Sequence, residues 1–142
     1  MVNIVDRLKR EMVPIGVIHS PYREKGDAPH QGRFSPTKSE IEIFPEYSEG
    51  LKNIAARPHL IVLYWLDRAD RDMLTAIPPD SKKEHGVFAT RSPNRPNPIG
   101  LALVDLLGIE GTRLIVRGLD AFDGTPVLDI KPYSPEIDCV KE

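Results

Sequence analysis

Hydrophobic residues along this chain come in short blocks, and the first three blocks have the patterns of β-strands. Residues 40–44 alternate polar and apolar side chains, the period of a strand with one buried face. The block His59–Trp65 is nearly continuously apolar and rich in β-branched and aromatic residues, so we expect a central strand buried on both faces. Residues 14–18 predict an earlier strand that ends at the turn signal Ser20-Pro21.

The second half of the chain continues this pattern with shorter connections. Residues 99–108 and 113–119 are apolar stretches joined through Glu110-Gly111-Thr112, which predicts a β-hairpin. Residues 86–88 predict a further strand-like piece. The string Asp-Gly-Thr-Pro at residues 123–126 predicts a tight turn, followed by a closing strand over residues 127–130.

Helical periodicity is confined to a few segments. Residues 46–56 place their apolar side chains on one helical face and predict a helix of about three turns. Residues 2–12 indicate either a short amphipathic helix or a docking arm. Residues 67–81 predict a polar connecting segment, the polar excursion, with one short helical turn. Fourteen prolines exclude long uninterrupted helices, because each proline removes a backbone donor.

Together these elements predict a mainly β fold: a single-domain antiparallel β-barrel with short helical insertions. A doubly wound nucleotide-binding fold is not expected, since neither a G-x-G-x-x-G nor a G-x-x-x-x-G-K-[ST] motif occurs in the chain. We expect an N-terminal arm over residues 1–13, the barrel domain over residues 14–135 and a C-terminal tail over residues 136–142.

Composition narrows the class of protein. A chain of 142 residues with 40% hydrophobic and 28% charged residues has the size and balance of one globular domain. The single cysteine, Cys139, has no partner, and no signal-peptide or membrane-spanning stretch appears, so we expect a cytoplasmic protein without membrane association. A net charge of -2 argues against a protein that coats nucleic acid, so any such contact must be local.

The loop at residues 89–98 is the densest candidate site. Its three prolines restrict the backbone, while Arg91, Asn94 and Arg95 offer hydrogen-bond donors for a ligand rich in acceptors. From composition alone a binding site and a loop that merely crosses the end of a barrel are equally supported. The long polar loop at residues 22–38, which includes His30, is a second candidate.

Carboxylates give weaker signals. The turn at residues 123–126 is by itself an ordinary turn, and a functional role would require Asp120 or Asp123 to face a cavity. Asp67, Asp70 and Asp72 are typical of a solvated face, because no histidine lies beside them at ligand spacing. We therefore expect no metal site.

Four strings taken together resemble one known family. They are residues 14–22 (Pro-Ile-Gly-Val-Ile-His-Ser-Pro-Tyr), residues 86–100 (Gly-Val-Phe-Ala-Thr-Arg-Ser-Pro-Asn-Arg-Pro-Asn-Pro-Ile-Gly), residues 123–127 (Asp-Gly-Thr-Pro-Val) and residues 129–133 (Asp-Ile-Lys-Pro-Tyr). The chain thereby resembles the TsaA-like (TrmO) family, and the resemblance extends over nearly all of residues 14–133. The long central string is its most specific part.

The resemblance implies a β-barrel that binds S-adenosyl-L-methionine outside the Rossmann architecture, as a homodimer. It implies methyl transfer to N6 of threonylcarbamoyladenosine, beside the anticodon of a tRNA substrate. The cofactor contacts of the family, carried over by position, fall on Gln31, Leu66, Asp67, Arg91, Leu101, Asp123, Gly124, Thr125 and Pro126. The catalytic hypothesis takes Asp123 or Asp67 as the base and Arg91 or Asn94 as the electrostatic partner.

Two departures from the family bear on the substrate. Leu66-Asp67 stands where the bacterial enzyme has a His-Gln pair, and we expect the extra C-terminal domain of longer members to be lacking. The alternatives are a methyltransferase for another RNA or a small molecule, and a non-catalytic barrel that binds S-adenosyl-L-methionine or RNA. The enzyme hypothesis requires the segment around Arg91 and the bend at Gly124 to converge on a cavity.

Overall fold

A computed structural model describes residues 3–23, 33 and 35–141 of the chain. The strands are β1 (Gly16–His19), β2 (Lys38–Ile43), β3 (His59–Trp65), β4 (Thr75–Ala76), β5 (His85–Gly86), β6 (Ile99–Glu110), β7 (Arg113–Arg117) and β8 (Pro126–Pro132). Two short helices, α1 (Ile4–Leu8) and α2 (Pro135–Asp138), lie near the ends of the chain. Short 3-10 turns span Pro45–Leu51, Ile54–Ala56 and Val87–Ala89.

The main sheet is antiparallel and closes on itself. Its strands are hydrogen-bonded in the order β1-β2-β7-β6-β3-β8, and β8 pairs again with β1. The two remaining strands, β4 and β5, form a small separate ribbon. The prediction of a mainly β, antiparallel fold with few helices is therefore confirmed.

The core lies inside the closed sheet and follows the alternation of side chains along each strand. Inward positions such as Ile18, Ile41, Val62, Val104 and Leu114 are fully buried. Burying such branched aliphatic side chains is worth roughly 1.5–3 kcal/mol each, which makes this interior the main source of stability.

β3 has the bounds predicted from its apolar block, but the prediction that both its faces are buried is wrong. Leu60, Val62 and Tyr64 are buried, whereas Ile61 and Leu63 between them are only half-buried. In a closed sheet only the inward face meets the core, and here the outward face borders a cavity.

The predicted three-turn helix over residues 46–56 is also wrong in type. The segment forms two 3-10 turns, and Asn53 between them has a left-handed backbone with a φ of 68°. Gly50 lies at the end of the first turn, and glycine has low helix propensity. The apolar spacing therefore packs Leu51 and Ile54 against the core without a continuous α-helix.

Other short elements differ from their predictions in detail. Residues 67–81 contain no helix and include β4 instead, while the strand-like piece at residues 86–88 is the end of β5 followed by a 3-10 turn. The hairpin between β6 and β7 is as predicted, and its Gly111 adopts a φ of 63°.

Among the described residues no helix is long and apolar enough to cross a bilayer.

Candidate active site

A cavity of about 350 Å³ lies against the outward face of β3 and β6. Its described lining consists of Arg33, Ile61, Arg91, Leu101, Ala102, Leu103, Gly118, Asp120, Tyr133 and Asp138. An apolar wall with a few polar groups, at this volume, is typical of pockets for small ligands.

Two guanidinium groups belong to this cavity. Arg91 is exposed and follows the 3-10 turn Val87–Ala89, which Val87 anchors in the interior. Arg33 is about half-exposed, and its Nη1 donates to Oδ2 of Asp105 at 3.1 Å. Because guanidinium groups bind carboxylates and phosphates through paired donors, the cavity suits a ligand that carries an anionic group.

Asp120, in the connection between β7 and β8, supplies a carboxylate to the same cavity. The hydroxyl of Tyr64 donates to its Oδ1 at 2.5 Å. Burial of the phenol, together with the nearby Asp120 charge and this hydrogen bond, raises the pKa of Tyr64 far above its ordinary value. Tyr64 therefore remains a protonated donor, and the bond orients the carboxylate.

The position of the Tyr64 ring depends on Gly100. The two residues are paired across β3 and β6, and a Cβ added at Gly100 would overlap the Tyr64 ring. The ring lies where any other residue at position 100 would place its side chain. A glycine at this position of the specific string at residues 86–100 therefore has a packing role.

Beside the cavity, Asp105 of β6 contacts two arginine side chains and one histidine. Its Oδ2 accepts from Arg33 and from Arg117 at 3.0–3.2 Å, and its Oδ1 contacts Nδ1 of His59 at 2.9 Å. Burial alone would raise the pKa of Asp105, but the hydrogen bonds from Arg117 and Arg33 outweigh it and lower the pKa. This cluster fixes Arg33 at the edge of the cavity.

The loop at residues 89–98 is held by hydrogen bonds from the polar excursion, residues 67–81, which follows β3. Nε of Arg71 donates to the carbonyl of Pro96 at 2.8 Å, and the amide of Asp70 donates to Oδ1 of Asn94 at 2.9 Å. Nη1 of Arg95 caps the carbonyls of Thr90 and Ser92 within the loop. Asn94 and Arg95 thus have structural partners, and among the loop residues Arg91 belongs to the cavity lining.

The turn at residues 123–126 is anchored to the end of β1. Oδ1 of Asp123 accepts from the amide of Ser20 at 3.0 Å, and the amide of Gly124 donates to Ile18 at 2.8 Å. Gly124 has a φ of 86°, which favours glycine, while Thr125 is buried. The turn thereby braces the connection in which Asp120 lies three residues earlier.

The cavity brings together only part of the predicted set. Arg91 and Leu101 belong to its described lining. Seven predicted residues lie outside the lining that the described residues form: Leu66, Asp67, Asn94, Asp123, Gly124, Thr125 and Pro126. Gln31 and His30 lie outside the described residues. Arg91 shares the described cavity lining with Asp120, whereas the bend at Gly124, with which convergence was expected, does not belong to that lining.

Sequence reasoning gave Tyr64 and Asp105 no part in the site and left Asp120 as an alternative. Tyr64 lies in an apolar strand, where an aromatic residue ordinarily belongs to the core. One available signal was Asp120 itself, a charged residue between the apolar Leu119 and Ala121. In the part of the chain that the structure describes, no cluster of His, Cys, Asp and Glu has the arrangement of a metal site.

The closed antiparallel sheet and its cavity of arginines and carboxylate define a small ligand-binding domain outside the Rossmann class. Residues 17–139 match the family described as tRNA-methyltransferase O N-terminal domain. The chain belongs to this TrmO family.

Relatives of known name agree with this assignment. A protein of Archaeoglobus fulgidus named "Probable S-adenosyl-L-methionine-binding protein" is 65% identical over 126 residues, which cover 89% of this chain and 34% of that protein. A second one from the same organism, named "S-adenosyl-L-methionine-binding protein", is 60% identical and is matched over 93% of its length, with 91% of this chain.

A solved structure of TrmO from Pseudomonas aeruginosa superposes with a TM-score of 0.78 at 38% identity, covering 94% of this chain and 58% of that one. The chain therefore spans about a third of the first relative and under two thirds of the solved enzyme, but nearly all of the second relative.

Proposed function

We propose that this protein is an S-adenosyl-L-methionine-dependent tRNA methyltransferase that methylates N6 of threonylcarbamoyladenosine beside the anticodon. The observation that carries the proposal is the cavity at β3 and β6, where Arg91, Arg33 and Asp120 meet an apolar wall in a chain of the TrmO family. The names of the relatives, which mention binding of this cofactor, support the choice of methyl donor.

The cavity fits the chemistry of the cofactor. S-adenosyl-L-methionine carries a carboxylate, an ammonium group, a positively charged sulfur and an adenine ring. Arg91 and Arg33 offer donors for the carboxylate, and Leu101, Ile61 and Leu103 form an apolar surface. When bound, the cofactor supplies an activated methyl group, and the protein has to position the acceptor and exclude water.

The predicted contacts at Gln31, Leu66, Asp67 and the turn at residues 123–126 remain part of this proposal. Leu66 and Asp67 lie beside the loop at residues 89–98, since the amide of Leu66 donates to the carbonyl of Pro98 at 2.8 Å, next to β6. Arg91 is the proposed electrostatic partner of the reacting group, because it belongs to the cavity lining and no described residue forms an ion pair with it. Asn94 and Asp123 stay predicted catalytic residues. Their described hydrogen bonds support the loop at residues 89–98 and the turn at residues 123–126, respectively.

Binding of tRNA requires a local basic surface, since the chain has a net charge of -2. Lys82 and Lys83 are exposed in the connection between β4 and β5. Arg33 and Arg95 have protein partners, and Lys25 lies outside the described residues. We therefore assign contacts with the phosphate backbone of a single-stranded RNA loop to the two adjacent lysines.

Replacing both lysines by alanine should weaken tRNA binding and reduce the slope of log affinity against log salt by about 1–2. The measurement is a filter-binding or anisotropy titration at several salt concentrations. Lys52→Ala with Lys38→Ala, which removes two exposed lysines elsewhere, is the matched control. An unchanged slope in the Lys82, Lys83 variant would contradict this part of the proposal.

The activity itself is tested with the full chain, radiolabelled S-adenosyl-L-methionine and total tRNA lacking the methyl group, followed by nucleoside mass spectrometry. We expect label in N6-methylated threonylcarbamoyladenosine. Label in another nucleoside would replace the proposed target, and absence of label with intact cofactor binding would reject the enzymatic function.

The homodimer and the cytoplasmic location implied by the family are part of the same proposal. Exposed apolar side chains on β6, among them Leu107 and Ile109, favour association with a second copy. Light scattering of the purified chain should give twice the mass of 15.9 kDa.

A second function is favoured by the names of the archaeal relatives, which mention binding without catalysis. A barrel that binds S-adenosyl-L-methionine as a sensor would retain the cavity. Calorimetric binding of the cofactor without methyl incorporation into any RNA would identify it.

A further inference from the structure

The carboxylates that sequence reasoning offered as the base of the reaction are Asp67 and Asp123, and neither belongs to the described cavity lining. Asp120 does. We propose that Asp120 is the general base that removes the proton from the acceptor nitrogen, and that Tyr64 is the residue that positions it. This inference rests on the proposed methyl transfer.

The hydrogen-bond geometry leaves one carboxylate oxygen of Asp120 available. Tyr64 donates to Oδ1, and no described residue bonds to Oδ2. Asp123 likewise has one bonded oxygen, since its Oδ1 accepts from the amide of Ser20, but Asp123 does not belong to the described cavity lining. A general base has to present a lone pair to the substrate, and Asp120 meets that requirement inside the cavity.

Tyr64 is built as a rigid support for that carboxylate. Its side chain is 3% exposed, and its ring lies against Gly100 of the neighbouring strand. A base held by a buried donor keeps its orientation without losing conformational entropy when the substrate arrives.

The other charged or titratable groups of the cavity have different roles available. Arg33 and Arg91 are cations, and the ring of Tyr133 makes an edge-to-face contact with the ring of His59. Asp138 is the second carboxylate of the described lining, but it is exposed on the short helix α2, where its Oδ2 accepts from the amide of Ser134 at 2.8 Å, and no buried donor holds it as Tyr64 holds Asp120. Asp120 is therefore the carboxylate best placed for proton transfer.

The N–H bond of the acceptor breaks and its proton passes to Oδ2 of Asp120. A bond forms between that nitrogen and the methyl carbon of the sulfonium donor, whose sulfur keeps the electron pair of the broken S–C bond. The protonated Asp120 then returns its proton to water.

The test compares Asp120→Asn with the wild-type chain in single-turnover methyl transfer to tRNA and in calorimetric binding of S-adenosyl-L-methionine. We expect the rate of transfer to fall by about a hundredfold or more, because the amide cannot accept the proton. The dissociation constant of the cofactor should stay within about twofold, since the amide preserves shape and the bond to Tyr64. Asp72→Asn, an exposed carboxylate on the excursion after β3, is the matched control.

Tyr64→Phe gives an independent measurement that keeps Asp120 itself. It removes the donor and leaves the ring on Gly100, so we expect the rate of transfer to fall by about tenfold with unchanged cofactor affinity. A purely structural role of Tyr64 would lower the thermal midpoint and the cofactor affinity together.

The outcomes separate this inference from the proposed function. An active wild-type chain with an equally active Asp120→Asn variant overturns the inference and leaves the methyltransferase in place. Loss of cofactor affinity by tenfold or more in Asp120→Asn also overturns it, because Asp120 would then bind the donor. A wild-type chain that transfers no methyl group to tRNA overturns the proposed function, and this inference with it.

Discussion

Asp105 and Asp120 flank the same cavity wall, yet their surroundings differ. Asp105 is surrounded by the guanidinium donors of Arg33 and Arg117 and by the ring of His59. Asp120 has one neutral donor, the hydroxyl of Tyr64, and faces the cavity. Since a carboxylate whose lone pairs are taken by protein donors has none to offer a substrate, Asp105 is suited to structure and Asp120 to chemistry.

The difference also explains how the cavity keeps its shape. Strand pairing places His59 opposite Asp105, and Asp105 opposite Arg117, so this cluster spans three adjacent strands. It also reaches Arg33. The charged cluster thus ties Arg33 to the sheet, while Asp120, held by Tyr64, belongs to the cavity lining.

The largest expected effect is a difference in stability between variants of Asp105 and Asp120. Asp105→Asn should lower the free energy of unfolding by about 2–3 kcal/mol, because partly buried charge-assisted hydrogen bonds are weakened. Asp120→Asn should lower it by less than about 1 kcal/mol, since one hydrogen bond to a neutral donor is retained in part. Denaturant unfolding of both variants measures the difference, and equal losses would remove the distinction between the two sites.

A smaller effect should follow from Gly100→Ala, which acts on the support of Asp120. The new methyl group would overlap the Tyr64 ring, and we expect a loss of about 1–2 kcal/mol as the ring tilts away. Gly108→Ala on the same strand is the control, because a Cβ there would meet only the side chain of Ile115 at 3.8 Å. Methyl transfer should fall in the first variant alone; similar losses in both would show that Tyr64 is not displaced.

The smallest expected effect is on the pH dependence of stability. The folded pKa of Asp105 is lowered below its ordinary value of 3.8, so its stabilisation is complete above that value and is lost as the pH falls through the folded pKa. The difference in unfolding free energy between the wild-type chain and Asp105→Asn should therefore narrow below about pH 4. A difference that stays constant between pH 7 and pH 3 would contradict the assigned ion pairs.

Most strands of this protein could be predicted because each is a local pattern, whereas the two-residue strand β4 was not predicted. The bounds of β3 follow from an unbroken apolar block, and the hairpin of β6 and β7 follows from Gly111 between two apolar stretches. The segment at residues 46–56 could not be predicted in the same way. Its apolar spacing fits a helix, but the left-handed Asn53 divides it.

The candidate site was predictable only where a residue lay in a distinctive string. Arg91 lies in such a string and Leu101 directly follows it as a contact implied by the family resemblance; both belong to the cavity lining, and their roles stay predictions. Tyr64 and Asp120 are 56 positions apart in the chain, and each alone resembles an ordinary core or loop residue. Their hydrogen bond is a consequence of how β3 and the connection after β7 meet at the closed sheet.

By itself, the amino-acid sequence determined the mainly β character, the turns at Gly111 and Gly124, and the family resemblance, because each depends on residues close together in the chain. Only the tertiary structure decided which carboxylate faces the cavity and which is surrounded by arginines. The physical reason is that strand register sets which side chains become neighbours, and hydrogen bonding then determines which of their lone pairs remain available.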